Sequence, residues 1–154
     1  MEANIKELSQ YRLEKAKRNL EVVESLIEDG YYDFAVNRAY YAAFDAMRAV
    51  NALDGFDSGK HSGVIAHFNQ FHVKNGDFKP ETSAVIRRAS NLREKSDYED
   101  FYQAEKEDAA ETFEMIQDFV ADVEQFLVGQ EESLDKKSSS KQDAETSANP
   151  EHRD

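Results

Sequence analysis

Apolar residues recur along this chain at helical spacing, and the stripes break where glycine, proline or aspartate cluster. Leu13, Ala16, Leu20, Val23 and Ile27 follow a 3-4-3-4 rhythm with charged residues between them. That rhythm predicts an amphipathic helix over about residues 5–28. Asp29-Gly30 closes it, since glycine takes the left-handed conformation after a helix end at little cost. The next stretch is apolar nearly all round: Phe34, Ala35, Val36, Ala39, Tyr40, Tyr41, Ala42, Ala43, Phe44, Ala46, Met47, Ala49 and Val50. It predicts a helix from Tyr32 or Asp33, with Asp33 as N-cap, to about Leu53. Such a helix belongs at the centre of a bundle or in a subunit interface. DGFDSGK, 54–60, reads as a loop. Val64, Ile65, Phe68 and Phe71 mark a third helix over 61–73, and KNGDFKP, 74–80, breaks it. Pro80 suits a first helical position. Val85, Ile86, Ala89 and Leu92 carry a fourth helix to about Ser96, followed by the connector SDYEDFYQ, 96–103. Phe113, Ile116, Val120, Val123 and Leu127, widened by Phe119 and Phe126, predict a fifth over 104–128, ended by Gly129.

These elements make an all-α protein, an up-and-down bundle of about five helices. From Gln130 the chain has one leucine and no aromatic residue. Such a segment buries too little to offset its ordering, so residues 130–154 read as a disordered polar tail after a helical domain of residues 1–129. The absence of cysteine excludes disulfide frameworks, thiolate metal sites and cysteine nucleophiles, and fits a reducing compartment. The N-terminal residues lack the apolar core of a signal peptide, and no run approaches the roughly 18 apolar residues of a membrane span. A cytoplasmic, soluble protein away from membranes is expected. The formal net charge is −13, and the tail, with seven acidic and four basic side chains, supplies little of it. Such a field repels the phosphate backbone, so RNA could engage only a local basic patch.

Candidate chemistry centres on the second helix. Arg38 and Asp45 stand at i and i+7, on one side and roughly 10 Å apart along the axis, with Tyr41 between them. Crossing this helix with an antiparallel copy across a two-fold axis would bring Arg38 toward Asp45 of the partner subunit. The plainer reading pairs Asp45 with Arg48 at i+3 and lays the Arg38 stem over aromatic rings. His67 and His72, five apart, would lie about 140° from each other around an α-helix, which argues against a metal site. No HExxH pattern is present, and neither metal nor cofactor is expected. His61, in GKHSG, could cap its helix or meet a phosphate with Lys60. The glycines around it lack the spacing of a phosphate-binding loop. Asp97, Tyr98 and Asp100 read as turn and capping chemistry, or as a carboxylate pair too common to specify magnesium.

Three blocks carry a resemblance: GYYDFAVNRAYYAAFDAMRAV (30–50), GKHSGVIAHF (59–68) and LREKSDYEDF (92–101). In that order the chain resembles the HEPN domain family, in its short single-domain prokaryotic branch, from about Tyr11 to Leu127. The resemblance implies a helical bundle that dimerises. Many members are metal-independent ribonucleases acting as toxins or defence effectors. Their motif is a polar residue, an arginine, a short spacer and a histidine. Here Asn37 and Arg38 are followed by AYYAAF, and Asp45 stands where the histidine would be. In the family's ribonucleases the arginine and histidine of two subunits meet over one phosphodiester, the histidine moving a proton and the arginine stabilising charge. Aspartate titrates near 3.9 and histidine near 6.5 in unperturbed peptides. An ionised Asp45 would repel phosphate and neutralise Arg38 of the partner subunit. Reduced or lost catalysis follows, unless burial raises the Asp45 pKa or His61 substitutes for it. Some members are silenced by a nucleotidyltransferase that modifies a tyrosine two residues past the histidine; that position is Met47, so this control does not carry over.

The expected function is therefore a homodimeric binding or regulatory component with a degenerate motif, Asn37, Arg38 and Asp45. It would belong to a toxin–antitoxin or nucleotidyltransferase-linked system, with that nucleotidyltransferase as a partner protein. A nucleotide or RNA phosphate would meet Arg38, with Tyr41, Lys60 and His61 as substrate-binding candidates. One alternative is an active ribonuclease using Arg38 with Asp45 or His61. Another is a purely structural interaction module.

Overall fold

A computed structural model describes the backbone of residues 2–148 and the side chains of residues 4–133. Its helices are α1 (Glu2–Glu28), α2 (Tyr32–Ala52), α3 (His61–Phe68), α4 (Glu81–Tyr98) and α5 (Lys106–Ala148), with a π-helical turn, Asn69–Val73, directly after α3. Among the described residues there is no β-strand, and no helix is long and apolar enough to cross a membrane. The chain divides into two compact units, Met1–Val123 and Glu124–Asp154. The side-chain contacts and candidate sites described below lie in the first; α5 runs from the first into the second.

The apolar surround of α2 makes it the central helix: 14 of its 21 residues are buried. Ala39, Ala42, Ala43, Ala46 and Ala49 are wholly inaccessible, and their small side chains admit neighbouring backbones. From α1 come Leu13, Ala16, Leu20 and Val23, all buried. Each full burial of a leucine or valine side chain contributes about 1.5–3 kcal/mol before ordering costs. Polar contacts fix the direction of packing. Ser9 Oγ donates to the Ala49 carbonyl at 2.7 Å, Arg12 Nη1 to the Arg48 carbonyl at 3.2 Å, and Asn19 Nδ2 to Asp45 at 2.9 Å. Later residues of α1 thus meet earlier residues of α2, so the two run antiparallel. The turn between them is set by Gly30 at φ 85°. Gly30 N–H bonds the Ile27 carbonyl and Tyr31 N–H the Leu26 carbonyl, the paired bonds of a Schellman motif.

Several boundaries differ from those expected. Asp33 does not cap α2: Tyr31 holds that position without a side-chain bond. Asp33 Oδ1 instead accepts the Ala104 N–H at 2.6 Å, tying the start of α2 to the segment before α5. His61 begins α3 and Lys60 is its N-cap, again without a side-chain cap. Asp97 and Tyr98 belong to the last turn of α4, not to the connector. Gly129 does not end the fifth helix; the backbone stays helical to Ala148. A mid-helix glycine costs only about 1 kcal/mol against alanine, and the alanine, glutamate, lysine and glutamine that follow are good helix formers. Of the expected disordered tail, the side chains of 134–154 and the backbone beyond 148 lie outside the described residues.

Candidate functional site

Two helices and one helix start converge on a cluster of cations and rings. From α2 come Asn37, Arg38, Tyr40, Tyr41 and Phe44, from the last turns of α4 come Arg93, Asp97 and Tyr98, and α3 opens with His61. On α2 the spacing places 37, 40, 41 and 44 along one flank, as i, i+3, i+4 and i+7 do. On α4, Arg93 and Asp97 are one turn apart.

Arg38 lies 4.7 Å over the Tyr41 ring. Its Nε donates to Asn37 Oδ1 at 3.2 Å, and Asn37 Nδ2 donates to both Asp97 carboxylate oxygens at 3.2 and 2.9 Å. Asp97 Oδ2 stands 3.3 Å from Arg93 Nε, an ion pair whose direction is wrong for a hydrogen bond, so that Nε lacks one. Arg93 is packed among tyrosines: its guanidinium is 5.1 Å from the Tyr40 ring, 5.5 Å from Tyr41 and 5.9 Å from Tyr98. Its Nη2 donates to the Tyr41 hydroxyl at 3.4 Å. Burial pulls the Arg93 pKa down, but Tyr41, Tyr40, Tyr98 and Asp97 raise it by more, so the group stays cationic. Cations over tyrosine faces gain from the ring quadrupole.

His61 completes the cluster. Its ring sits 4.3 Å from that of Phe44 and meets Tyr41 edge-on at 5.7 Å. Its Nδ1 is 3.0 Å from the Tyr40 hydroxyl. Burial first, and then the positive charge of Arg93, lower the His61 pKa below its ordinary value, so the ring is neutral at neutral pH. Burial raises the Tyr40 pKa. With both groups neutral, a Tyr40 hydroxyl that donates to Nδ1 leaves the imidazole proton on Nε2. Lys60 is exposed beside His61, and Tyr41 is half-buried.

Asp45 occupies other surroundings. It is 5% exposed and accepts a hydrogen bond from Asn19 Nδ2 of α1 at 2.9 Å. Its pKa is raised: burial outweighs the opposing pull of Lys15, Arg48, the Asn19 bond and Arg38. Arg38 acts on it only through the field, and no hydrogen bond joins them. Nor does Asp45 bond with Arg48, the neighbour at i+3. Arg48 reaches Asp57 instead, at 3.2 Å, where Arg12 also arrives at 3.1 Å. Asp57 is held below its ordinary pKa; slight burial raises it, and the Arg48 hydrogen bond, the Ser58 N–H and the charges of Arg12 and Arg48 lower it by more.

Of the residues expected at the site, Asn37, Arg38, Tyr41 and His61 come together with Lys60 adjacent, while Asp45 turns to α1. Arg93 was missed, although it lies inside one of the three blocks that carry the family resemblance. The sequence signal for it is its i, i+4 spacing to Asp97 beside Tyr98. The expectation that His67 and His72 stand apart is overturned as well. Both approach Asp54, because the π-helical turn inserts a residue between the faces that a regular helix would separate.

Comparisons with known proteins accord with this architecture. Residues 9–126 match the HEPN domain. The chain is 34% identical over 109 residues to Putative toxin MJ0142 of Methanocaldococcus jannaschii, covering 71% of this chain and 74% of that protein. It is 29% identical over 118 residues to a UPF0332 protein of Thermotoga maritima, covering 77% and 89%. Among solved structures, TT1696 of Thermus thermophilus superposes with a TM-score of 0.65 at 21% identity, over 77% of this chain and 97% of that one.

Proposed function

We propose, for a chain that belongs to the HEPN domain family, that the cluster of Arg38, Tyr41, Arg93 and Tyr98 binds RNA by phosphate and base. The protein then acts as a homodimeric binding or regulatory component of a toxin–antitoxin or nucleotidyltransferase-linked system. Two guanidiniums supply the positive charge that an acidic protein needs at the point of phosphate contact. Tyr98 is 74% exposed and offers a ring face on which a base can stack. Asp97 offsets part of the Arg93 charge and, through Asn37, positions Arg38, so the two guanidiniums outnumber the one carboxylate.

The observation that carries this reading is the placement of Asp45. It stands at the motif position that moves a proton in the family's ribonucleases, yet its carboxylate is buried and committed to Asn19. Phosphate binding through Arg38 survives that arrangement; burial does raise the Asp45 pKa, as proton transfer there would need, but the group bonds Asn19 of α1 and makes no hydrogen bond to Arg38. The likeness to a protein named as a toxin supports the toxin–antitoxin setting. A second reading rests on His61, whose neutral ring in the same cluster has the protonation state of a general base. In that reading Arg38 stabilises the phosphorane charge and His61 replaces the motif histidine.

The test is metal-free RNA binding and cleavage by the wild-type protein in a chelator, beside Arg38→Ala, His61→Ala and Asp45→Ala. Binding that falls with Arg38→Ala, and no cleavage above background, is expected. Cleavage abolished by both Arg38→Ala and His61→Ala establishes the second reading. Absence of RNA binding by the wild-type protein overturns both and leaves an interaction module. Sedimentation at micromolar concentration tests the dimer, which a monomer would sink.

A further inference from the structure

We infer that Asp54, His67 and His72 form a binding site for a divalent transition-metal ion of the zinc class. Asp54 lies in the turn after α2, His67 in α3 and His72 in the π-helical turn. On a regular α-helix these histidines would diverge by about 140°. The bond from Lys74 N–H to the Asn69 carbonyl at 2.9 Å spans five residues and marks the wider turn. Both Nε2 atoms then point at one Asp54 oxygen, His67 at 2.9 Å and His72 at 2.6 Å. One donor atom from each of the three residues falls within 4.8 Å of the others. Tetrahedral ligands bonded at about 2.0–2.1 Å stand about 3.3 Å apart, so small shifts seat an ion.

The surroundings hold the donors in place. His72 Nδ1 faces Asp77 Oδ2 at 2.9 Å, and Asn75 Nδ2 donates to that same oxygen at 3.2 Å. A carboxylate behind a histidine keeps the proton on Nδ1 and leaves the Nε2 lone pair for a metal. The His67 ring stacks on Phe56 at 4.0 Å with 8° between the planes and abuts Phe71 at 4.5 Å, which restrains its rotation. Two imidazoles and one carboxylate suit zinc, cobalt or nickel, and not magnesium or calcium, which take all-oxygen shells. Three protein donors leave a fourth position for water, on the side where Asp54 is exposed. A bound ion ties the turn after α2 to α3 and to the π-helical turn. The residues are separate from the Arg38 and His61 cluster, and the site does not depend on the RNA-binding reading.

Full-length protein stripped with chelator and desalted is titrated with Zn2+ by calorimetry and with Co2+ by visible absorption. One equivalent should bind, with the d–d bands of a low-coordinate cobalt site. His67→Gln and Asp54→Asn should each weaken Zn2+ binding at least tenfold with unchanged helical circular dichroism, and His61→Gln should bind as the wild type does. Asp77→Asn, behind His72, should weaken binding about tenfold or more. Failure of the wild-type protein to bind either ion overturns the site, and so does binding that His67→Gln and Asp54→Asn leave unchanged.

Discussion

His61 and the pair His67 and His72 belong to one short run of helix, α3 and its π-helical turn, yet their neighbours are opposite in kind. Around His61 stand Tyr40, Tyr41 and Phe44, with Arg93 adding positive charge. Around His67 and His72 stand Asp54 and Asp77. The ring type is the same; what differs is which element reaches it. Helices α2 and α4 bring aromatic faces and guanidiniums to the start of α3. The loops on either side of α3 and its turn bring carboxylates to its end. A chain with a net charge of −13 can thus present a cationic aromatic patch, because two arginines 55 positions apart in sequence converge on the same tyrosine.

The severest way to break the contrast is at Tyr40, which is 1% exposed and joins His61 to Arg93. Tyr40→Ala should cost about 3–5 kcal/mol in urea unfolding, as large-to-small aromatic core changes do. Tyr40→Phe keeps the ring, loses the bond to His61 and should cost about 1 kcal/mol. Neither change should alter Zn2+ uptake at the other cluster while the protein is folded. A Tyr40→Ala cost below that of Tyr40→Phe would show that the ring does not floor the His61 side. Next in size is the double variant Arg38→Ala with Arg93→Ala. Each lost contact to single-stranded RNA should reduce the slope of log affinity against log salt by about 0.7, so the pair should reduce it by about 1.4. An unchanged slope would mean that phosphate binds elsewhere.

How much of this was legible from sequence follows from which interactions are local. The stripe on α1 and the all-round apolarity of α2 gave the bundle, because helical period and burial are written within single turns. Arg38 and Tyr41 were legible for the same reason, and Asn37 only through the motif of the family that the chain resembles. Arg93 was not, since its value lies in Tyr41, 52 positions away. Asp33 looked like a cap because aspartate favours that position, but a backbone N–H from Ala104 offered it a tertiary bond. His67 and His72 were misjudged because periodicity arguments assume 3.6 residues per turn, and a π-helical turn voids that assumption. Asp45 is the most instructive case. Spacing put it on the side of Arg38, yet the choice between a subunit seam and the α1 packing surface depends on Asn19, which no pattern on α2 reveals.

The smallest expected effect is the most specific to the contrast, and it lies in the pH dependence of stability. The folded pKa of His61 is below its ordinary value of 6.5. The unfolded chain therefore binds the proton more readily, and protonation favours unfolding. The His61 contribution is complete above about pH 6.5 and is lost as pH falls through the window beneath it. Asp45 has the opposite sign: its folded pKa lies above 3.8, so its contribution is greatest below that value and is lost as pH rises toward the folded pKa. Asp57, held below 3.8, contributes above that value and loses its contribution as pH falls through its folded pKa. Urea midpoints measured in chelator from pH 7.5 downward, for the wild type and His61→Gln, separate these terms. The wild type should lose more stability than the variant just below about pH 6.5, where His61 alone of the three begins to protonate in the unfolded chain. Identical slopes would mean that the rings and Arg93 do not hold His61 neutral, and the electrostatic half of the contrast between the two histidine environments would fall.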